Sequence, residues 1–167
     1  MRVLVSAASK HGATAEIGQR IGETLRQRGF DVTVAEPDNA APDAGYDGIV
    51  LGSGVYAGHW LKDAKHLAER IAAVSPAPPV WVFSSGPLGD PPKPDEDPVD
   101  VAAIIALIAP VEHHVFAGKI DKSDLSFGER AIMVAVRAPE GDFRNWDEVA
   151  AWANSIADTL EKPLETA

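Results

Sequence analysis

Residues 1–29 read MRVLVSAASKHGATAEIGQRIGETLRQRG, and the order of residue types within them decides the fold. Arg2 to Ser6 is short and β-branched. It passes through the small and polar cluster Ser9-Lys10-His11-Gly12 into a segment in which Ile17, Ile21 and Leu25 recur every four residues. Those periods predict a strand, a loop and a helix in that order. The helix is expected to stop at Arg28-Gly29, a basic last turn followed by a residue that tolerates the left-handed conformation.

Working outward, Phe30 to Ala35 reads as a second strand, and Pro37 to Gly45, rich in Pro, Asp and Asn, as a loop. Gly48 to Gly52 is an apolar third strand, and a helix from about Trp60 places Ala64, Leu67, Ala68 and Ile71 on one face. Pro76 to Pro79 ends that helix. Val80 to Phe83 is a fourth strand without polar alternation, the pattern of a parallel strand covered on both faces. Gly86 to Pro98, with its prolines and Asp95-Glu96-Asp97, reads as an exposed loop, and Val101 to Ala109 as a buried helix or a docking surface. Val111 to Ala117 supplies a fifth strand. The last helix opens at Asn145 with Glu148 three residues on, a capping pattern, and its stripe is Val149, Trp152, Ala153, Ile156 and Leu160. Strands alternating with helices in this way predict a doubly wound parallel sheet, because parallel neighbours need crossover connections.

The chain has 167 residues, which suits a single domain over 1–167 with an insertion at about 119–144, where Phe127 to Val136 reads as an extra helix. Fifteen Lys+Arg against 25 Asp+Glu give a formal net charge of −10, which argues against a nucleic-acid partner. Zero cysteines remove disulfides, thiolate metal sites and Cys nucleophiles and favour a cytoplasmic location. No apolar run approaches the roughly 18 residues of a membrane span, and no signal peptide is read at the N-terminus.

Ligands of open α/β sheets bind beyond the carboxyl ends of the strands, so the loops found there carry the functional reading. After the first strand, Ser9-Lys10-His11-Gly12-Ala13-Thr14 offers hydroxyls, a glycine and the free amides of a helix N-terminus, which together suit a phosphate. It has neither the Walker spacing nor the G-x-G-x-x-G spacing. The loop after the third strand, Gly52-Ser53-Gly54-Val55-Tyr56-Ala57-Gly58-His59-Trp60, combines glycines with aromatic rings able to stack on a flat ligand. The loop after the fourth, Ser84-Ser85-Gly86-Pro87-Leu88-Gly89-Asp90, exposes backbone groups to a heterocycle's edge. Tyr56 is the stronger candidate for a stacking ring, with Trp60 divided between stacking and core. His66 is read as solvated and His113-His114 as a poor metal site, so no metal is expected. Trp81, Trp146 and Trp152 are read as core or cap residues.

At these three loops the chain resembles the flavodoxin family. The family's phosphate motif, [ST]-x-[ST]-G-x-[ST], is similar to Ser9-Lys10-His11-Gly12-Ala13-Thr14, with His11 at the middle hydroxyl position. The resemblance is nearest to the branch of menaquinone-dependent protoporphyrinogen dehydrogenases, in the first loop, Gly52 to Trp60, and Asn145 to Ile156. It implies a flavodoxin-like three-layer fold, a five-stranded parallel sheet of order 2-1-3-4-5 with helices on both faces. It also implies FMN as cofactor, its phosphate at Ser9, Lys10, His11, Gly12, Ala13 and Thr14. The flavin ring would lie between Ser53, Gly54, Val55, Tyr56, Ala57, Gly58 on one side and Ser85, Gly86, Pro87, Leu88, Gly89, Asp90 on the other. The expected function is an electron-carrying flavoprotein whose partner is a redox protein or a quinone. A quinone-linked, protoporphyrinogen dehydrogenase-like oxidoreductase is one alternative, and a non-redox binding module with a decayed flavin site is another. From Gly29 to Leu61 there are five acids and no Lys or Arg, a balance that would lower a nearby flavin's potential and favour a basic partner.

Overall fold

The computed structural model describes residues 1–56, 58–86, 100–120, 126–135 and 141–162. Their order is β1 (Arg2–Ala8), α1 (Ala13–Gln27), β2 (Asp31–Ala35), β3 (Gly48–Tyr56), β4 (His59–Trp60), α2 (Lys62–Ala72), β5 (Val80–Ser85), α3 (Val101–Ile108), β6 (Glu112–Phe116), β7 (Lys119–Ile120), α4 (Phe127–Ala135), β8 (Gly141–Asp142) and α5 (Trp146–Glu161). The five long strands are parallel and lie in the order β2-β1-β3-β5-β6, which is 2-1-3-4-5 when only long strands are counted. The fold is the flavodoxin-like α/β sandwich the sequence led us to expect.

The apolar runs of the strands are explained by two separate cores. Val3, Val5, Val50, Trp81 and Phe83 face one side, where they pack with Ile17, Ile21 and Leu25 of α1 and with Val149, Trp152, Ala153 and Ile156 of α5. Leu4, Ile49, Leu51, Val80 and Val82 face the other, against Ala64, Leu67, Ala68 and Ile71 of α2 and Val101 and Ile104 of α3. Alternate residues point to opposite faces of a strand, so only a strand apolar at every position can serve both layers. Each Val, Leu, Ile or Phe side chain buried in this way contributes about 1.5–3 kcal/mol.

Helices α1 and α5 are tied at both ends. At the end of α1, Arg28 reaches Asn154, Asp158 and Glu161 of α5. Ahead of α5, Arg144 reaches back to the first turn of α1, and Asn145 caps α5 by accepting from the Glu148 amide at 3.1 Å, as its sequence implied.

Two boundaries differ from the sequence reading. Gly52 to Trp60 was expected to be a loop, but β3 runs on to Tyr56 because its pairing with β5 continues through Ser53↔Ser84 and Gly54↔Ser85. Trp60 does not begin a helix: it sits in the two-residue β4, antiparallel to β3, and α2 starts at Lys62 after Leu61 in an extended conformation. The apolar stretch from Val101 forms α3, half buried, with Ile105 and Leu107 exposed. The extra helix expected in the insertion is α4. No described helix is long and apolar enough to cross a membrane.

Candidate functional site

Three loops leave the sheet at the carboxyl ends of β1, β3 and β5, and the register sets them side by side, with Ala8 opposite Ser53 and Gly54 opposite Ser85. The order turns between β1 and β3, because β1 is followed by β2 on one side while β3 lies on the other. A crevice opens at such a point, bounded by helix N-termini rather than by a layer of side chains.

Gly12 stands at the N-cap of α1 with φ +90°, a conformation that L side chains rarely adopt. A Cβ built on it would meet nothing within 4 Å, so this residue borders open space. The Glu16 amide donates to the Gly12 carbonyl at 3.0 Å, which leaves the amides of Ala13, Thr14 and Ala15 without helical partners. No side chain caps this helix. Ser9 Oγ accepts the Gly12 amide at 2.9 Å and fixes the loop's shape. Thr14 is buried, beside Gly54: a Cβ on Gly54 would lie 3.1 Å from Thr14 Oγ1 and 2.8 Å from the Tyr56 ring. Glycine there lets β3 pass directly against the first turn of α1. Open amides, a hydroxyl and the positive end of a helix dipole form a cradle that fits a phosphate monoester.

Tyr56 joins this loop closely. Its hydroxyl accepts the Lys10 amide at 3.2 Å, Lys10 Nζ lies 5.7 Å from its ring centroid, and the His11 ring meets it edge-on at 6.3 Å. Burial raises the phenol's pKa, so it stays protonated at neutral pH. The resemblance implied Lys10 and His11 as phosphate contacts. Both are paired: Lys10 Nζ and His11 Nε2 each lie 2.8 Å from the carboxylate of Glu129 on α4. Hydrogen bonds from Lys10 and then from His11 hold that carboxylate at a pKa of about 2, well below its ordinary value. The Ser126 hydroxyl donates to Glu129 Oε1 at 3.0 Å and accepts the Glu129 amide at 3.3 Å. Glu129 was missed by sequence reasoning, although Ser126-Phe127-Gly128-Glu129 carries the S-x-x-E signature of a helix start.

The other side of the same turn carries a second cluster. Arg144 donates to Asp142 through Nε at 2.9 Å and through Nη2 at 2.8 Å, and its Nη1 reaches both Glu16 and the Ala13 carbonyl. Its guanidinium carbon lies 4.6 Å from the Trp146 ring centroid. Asp142 first, then Glu16, raises the guanidinium's pKa, and Arg144 lowers that of Asp142.

Other candidates are placed differently. Ser53 is fully buried, donating to the Gly54 carbonyl at 2.8 Å and accepting the Leu61 amide at 2.9 Å, so its hydroxyl shapes the hairpin. Val55 packs toward the α2/α3 core. Trp60 is a core residue: its indole N–H donates to Ser84 Oγ at 2.8 Å, and Ser84 Oγ lies 2.9 Å from His113 Nε2. Asp100 accepts the Trp60 amide at 3.0 Å and lies near His59 and Lys65, binding the β3–β4 hairpin to the start of α3. Burial would raise the Asp100 pKa, but the Trp60 amide, His59 and Lys65 outweigh it and leave the carboxyl below its usual range. Gly58 is exposed at the hairpin turn, Ser85 is buried at the end of β5, and the Gly86 amide donates to the Phe116 carbonyl at 2.9 Å. Ala57, Pro87, Leu88, Gly89 and Asp90 lie outside the described residues. Among the described residues no group of three or more His, Cys, Asp or Glu could hold a metal ion.

The family described as "Flavodoxin domain" matches residues 4–147. An archaeal flavodoxin superposes with a TM-score of 0.66 at 18% identity, covering 97% of this chain and 100% of its own. A flavodoxin of Streptococcus pneumonia TIGR4 gives 0.65 at 16% identity, covering 95% and 99%. The rubredoxin oxygen:oxidoreductase of Desulfovibrio gigas gives 0.66 at 12% identity over 99% of this chain, which spans only 37% of that larger protein. At these identities the likeness is one of fold. No curated protein matches the chain by sequence.

Proposed function

The chain belongs to the flavodoxin family, and from that premise we propose that it carries electrons through an FMN held at the carboxyl ends of β1, β3 and β5. FMN is the family's cofactor, and electron transfer to a redox partner is the family's work. The observation that carries the proposal is the first turn of α1: a left-handed Gly12 bordering open space, amides without helical partners and Thr14 meet the end of β3 at one point. Ser9 to Thr14 would hold the phosphate, with Ser9 shaping the loop and Thr14 donating a hydroxyl. Ser53 to Gly58 and Ser85 to Asp90 would flank the ring, Gly54 giving the backbone room and Tyr56 a flat surface. When bound, FMN supplies one- and two-electron transfer, while the chain binds it, orients it and sets the charge around it.

The test is the visible absorption spectrum of the purified protein, before and after addition of FMN and desalting, with FAD and riboflavin as controls. A retained band specific to FMN is the expected result. No retained band and no quenching of FMN fluorescence would overturn the proposal and favour a non-redox binding role.

A second reading, a quinone-linked oxidoreductase of the protoporphyrinogen dehydrogenase type, is supported by one feature. The insertion forms α4, and α4 reaches the loop after β1 through Glu129. If α4 forms part of a substrate wall, removing residues 126–135 should leave FMN bound while abolishing quinone reduction. Equal turnover without α4 would exclude this reading.

A further inference from the structure

We propose that Glu129 is a built-in competitor for the cofactor's phosphate: binding FMN exchanges the Glu129 carboxylate for the phosphate at Lys10 and His11 and releases the first turn of α4. This rests on the reading of Ser9 to Thr14 as the phosphate loop and adds a latch to it.

The loop's two charge-capable donors, Lys10 Nζ and His11 Nε2, converge on one carboxylate at 2.8 Å each, and His11 holds the middle hydroxyl position of the motif. A carboxylate and a phosphate present the same kind of oxygen acceptor to such donors, and the phosphate, with about two negative charges near neutral pH, is the stronger. The two anions repel one another, so the phosphate cannot settle at this loop beside Glu129 without raising the energy of both. Glu129 is held in place for this role by its own helix: the Ser126 hydroxyl fixes one carboxylate oxygen and caps the first turn. Its side chain remains 19% exposed, so an incoming anion can reach the pair from solvent.

Phe127 in the first turn of α4 is 91% exposed, so this end of the helix faces solvent. The Lys10–His11–Glu129 contact joins the head of α4 to the loop after β1 while the phosphate is away. Occupancy of the cofactor site then becomes visible in the position of α4.

The experiment compares the whole protein with Glu129→Gln by titrating FMN and riboflavin and by amide hydrogen exchange over residues 126–135. Glu129→Gln should bind FMN more tightly by on the order of tenfold, the effect of removing one like charge, and riboflavin with unchanged affinity. In the wild type, FMN should speed exchange in the first turn of α4. Unchanged or weaker FMN binding in Glu129→Gln would overturn the latch and make Glu129 a support that positions Lys10 and His11. Should neither protein bind FMN, the proposed function itself fails, and inorganic phosphate becomes the probe. Faster α4 exchange with phosphate in the wild type but not in Glu129→Gln would still support the latch, and no difference would overturn it. Glu129→Ala, with near-ultraviolet circular dichroism as a check of folding, repeats the comparison.

Discussion

Two ionic clusters flank the first turn of α1, and they are built in opposite ways. On one side the cation is shared: Arg144, only 5% exposed, holds Asp142 and Glu16, and also the Ala13 carbonyl. On the other side the anion is shared: Glu129 is held by Lys10 and His11, both on the same loop. A planar guanidinium with its donors filled and a ring stacked on it has one geometry, and replacing any partner leaves a fixed donor empty. A carboxylate between a flexible ammonium and an imidazole has many exchangeable substitutes, among them any other oxyanion. The first arrangement suits a permanent tie between α1 and the start of α5, and the second suits a contact that gives way to a ligand.

The largest expected effect breaks the permanent tie. Arg144→Ala removes the donors that serve Asp142, Glu16 and the Ala13 carbonyl and uncovers one face of Trp146. Removing one partner of a buried ion pair costs roughly 3–5 kcal/mol, and because both carboxylates here are substantially exposed the expected loss is about 2 kcal/mol. Arg144→Lys should recover less than half of it, since an ammonium cannot reproduce the fork. Urea unfolding midpoints decide this, and an unchanged midpoint for the alanine variant would make the cluster incidental.

The turn between the clusters offers the next effect. Thr14→Ala removes one hydroxyl from the proposed phosphate cradle and leaves both ionic clusters intact. Its FMN affinity should fall by on the order of 1.5 kcal/mol, roughly tenfold, with little change in riboflavin affinity, because a hydrogen bond to a charged acceptor is lost. Equal loss for both ligands in fluorescence titrations would mean that Thr14 packs against the ring instead of holding the phosphate.

The contrast between the clusters also marks how far the sequence could be read. The β1–α1 unit was legible because its signals are local: a β-branched run, Ile17, Ile21 and Leu25 four apart, and Gly29, which adopts φ +91° at the end of the helix. The Asn145 cap was legible for the same reason. β3 beyond Gly52 was not, since Ser53-Gly54-Val55 has the composition of a turn and becomes strand only because β5, far along the chain, continues beside it. The loop after β1 was placed correctly as a feature, but its polar partners were not. His11 and Glu129 are 118 residues apart, and no period or spacing relates them. Arg144 to Glu16 spans 128 residues. Local hydrogen-bond chemistry writes elements into a sequence, whereas pairings across the sheet's carboxyl edge depend on topology.

The smallest expected effect sharpens the comparison by titration. Glu129 has a folded pKa of about 2, against an ordinary carboxylate value that its unfolded form would show. In that interval the unfolded chain binds more protons at this site than the folded one, so stability rises with pH there. The contribution of the Lys10–His11–Glu129 contact is therefore complete above about pH 4.5 and is lost as the pH falls toward 2. The stability gap between the wild type and Glu129→Gln should narrow over that interval, with an amplitude below that of Arg144→Ala because the contact is partly exposed. The measurement is urea unfolding of both proteins in steps from neutral pH into acid. A gap that stays constant down to pH 2 would mean that Glu129 carries no charge-dependent stability, and the difference drawn between the two clusters would then rest on geometry alone.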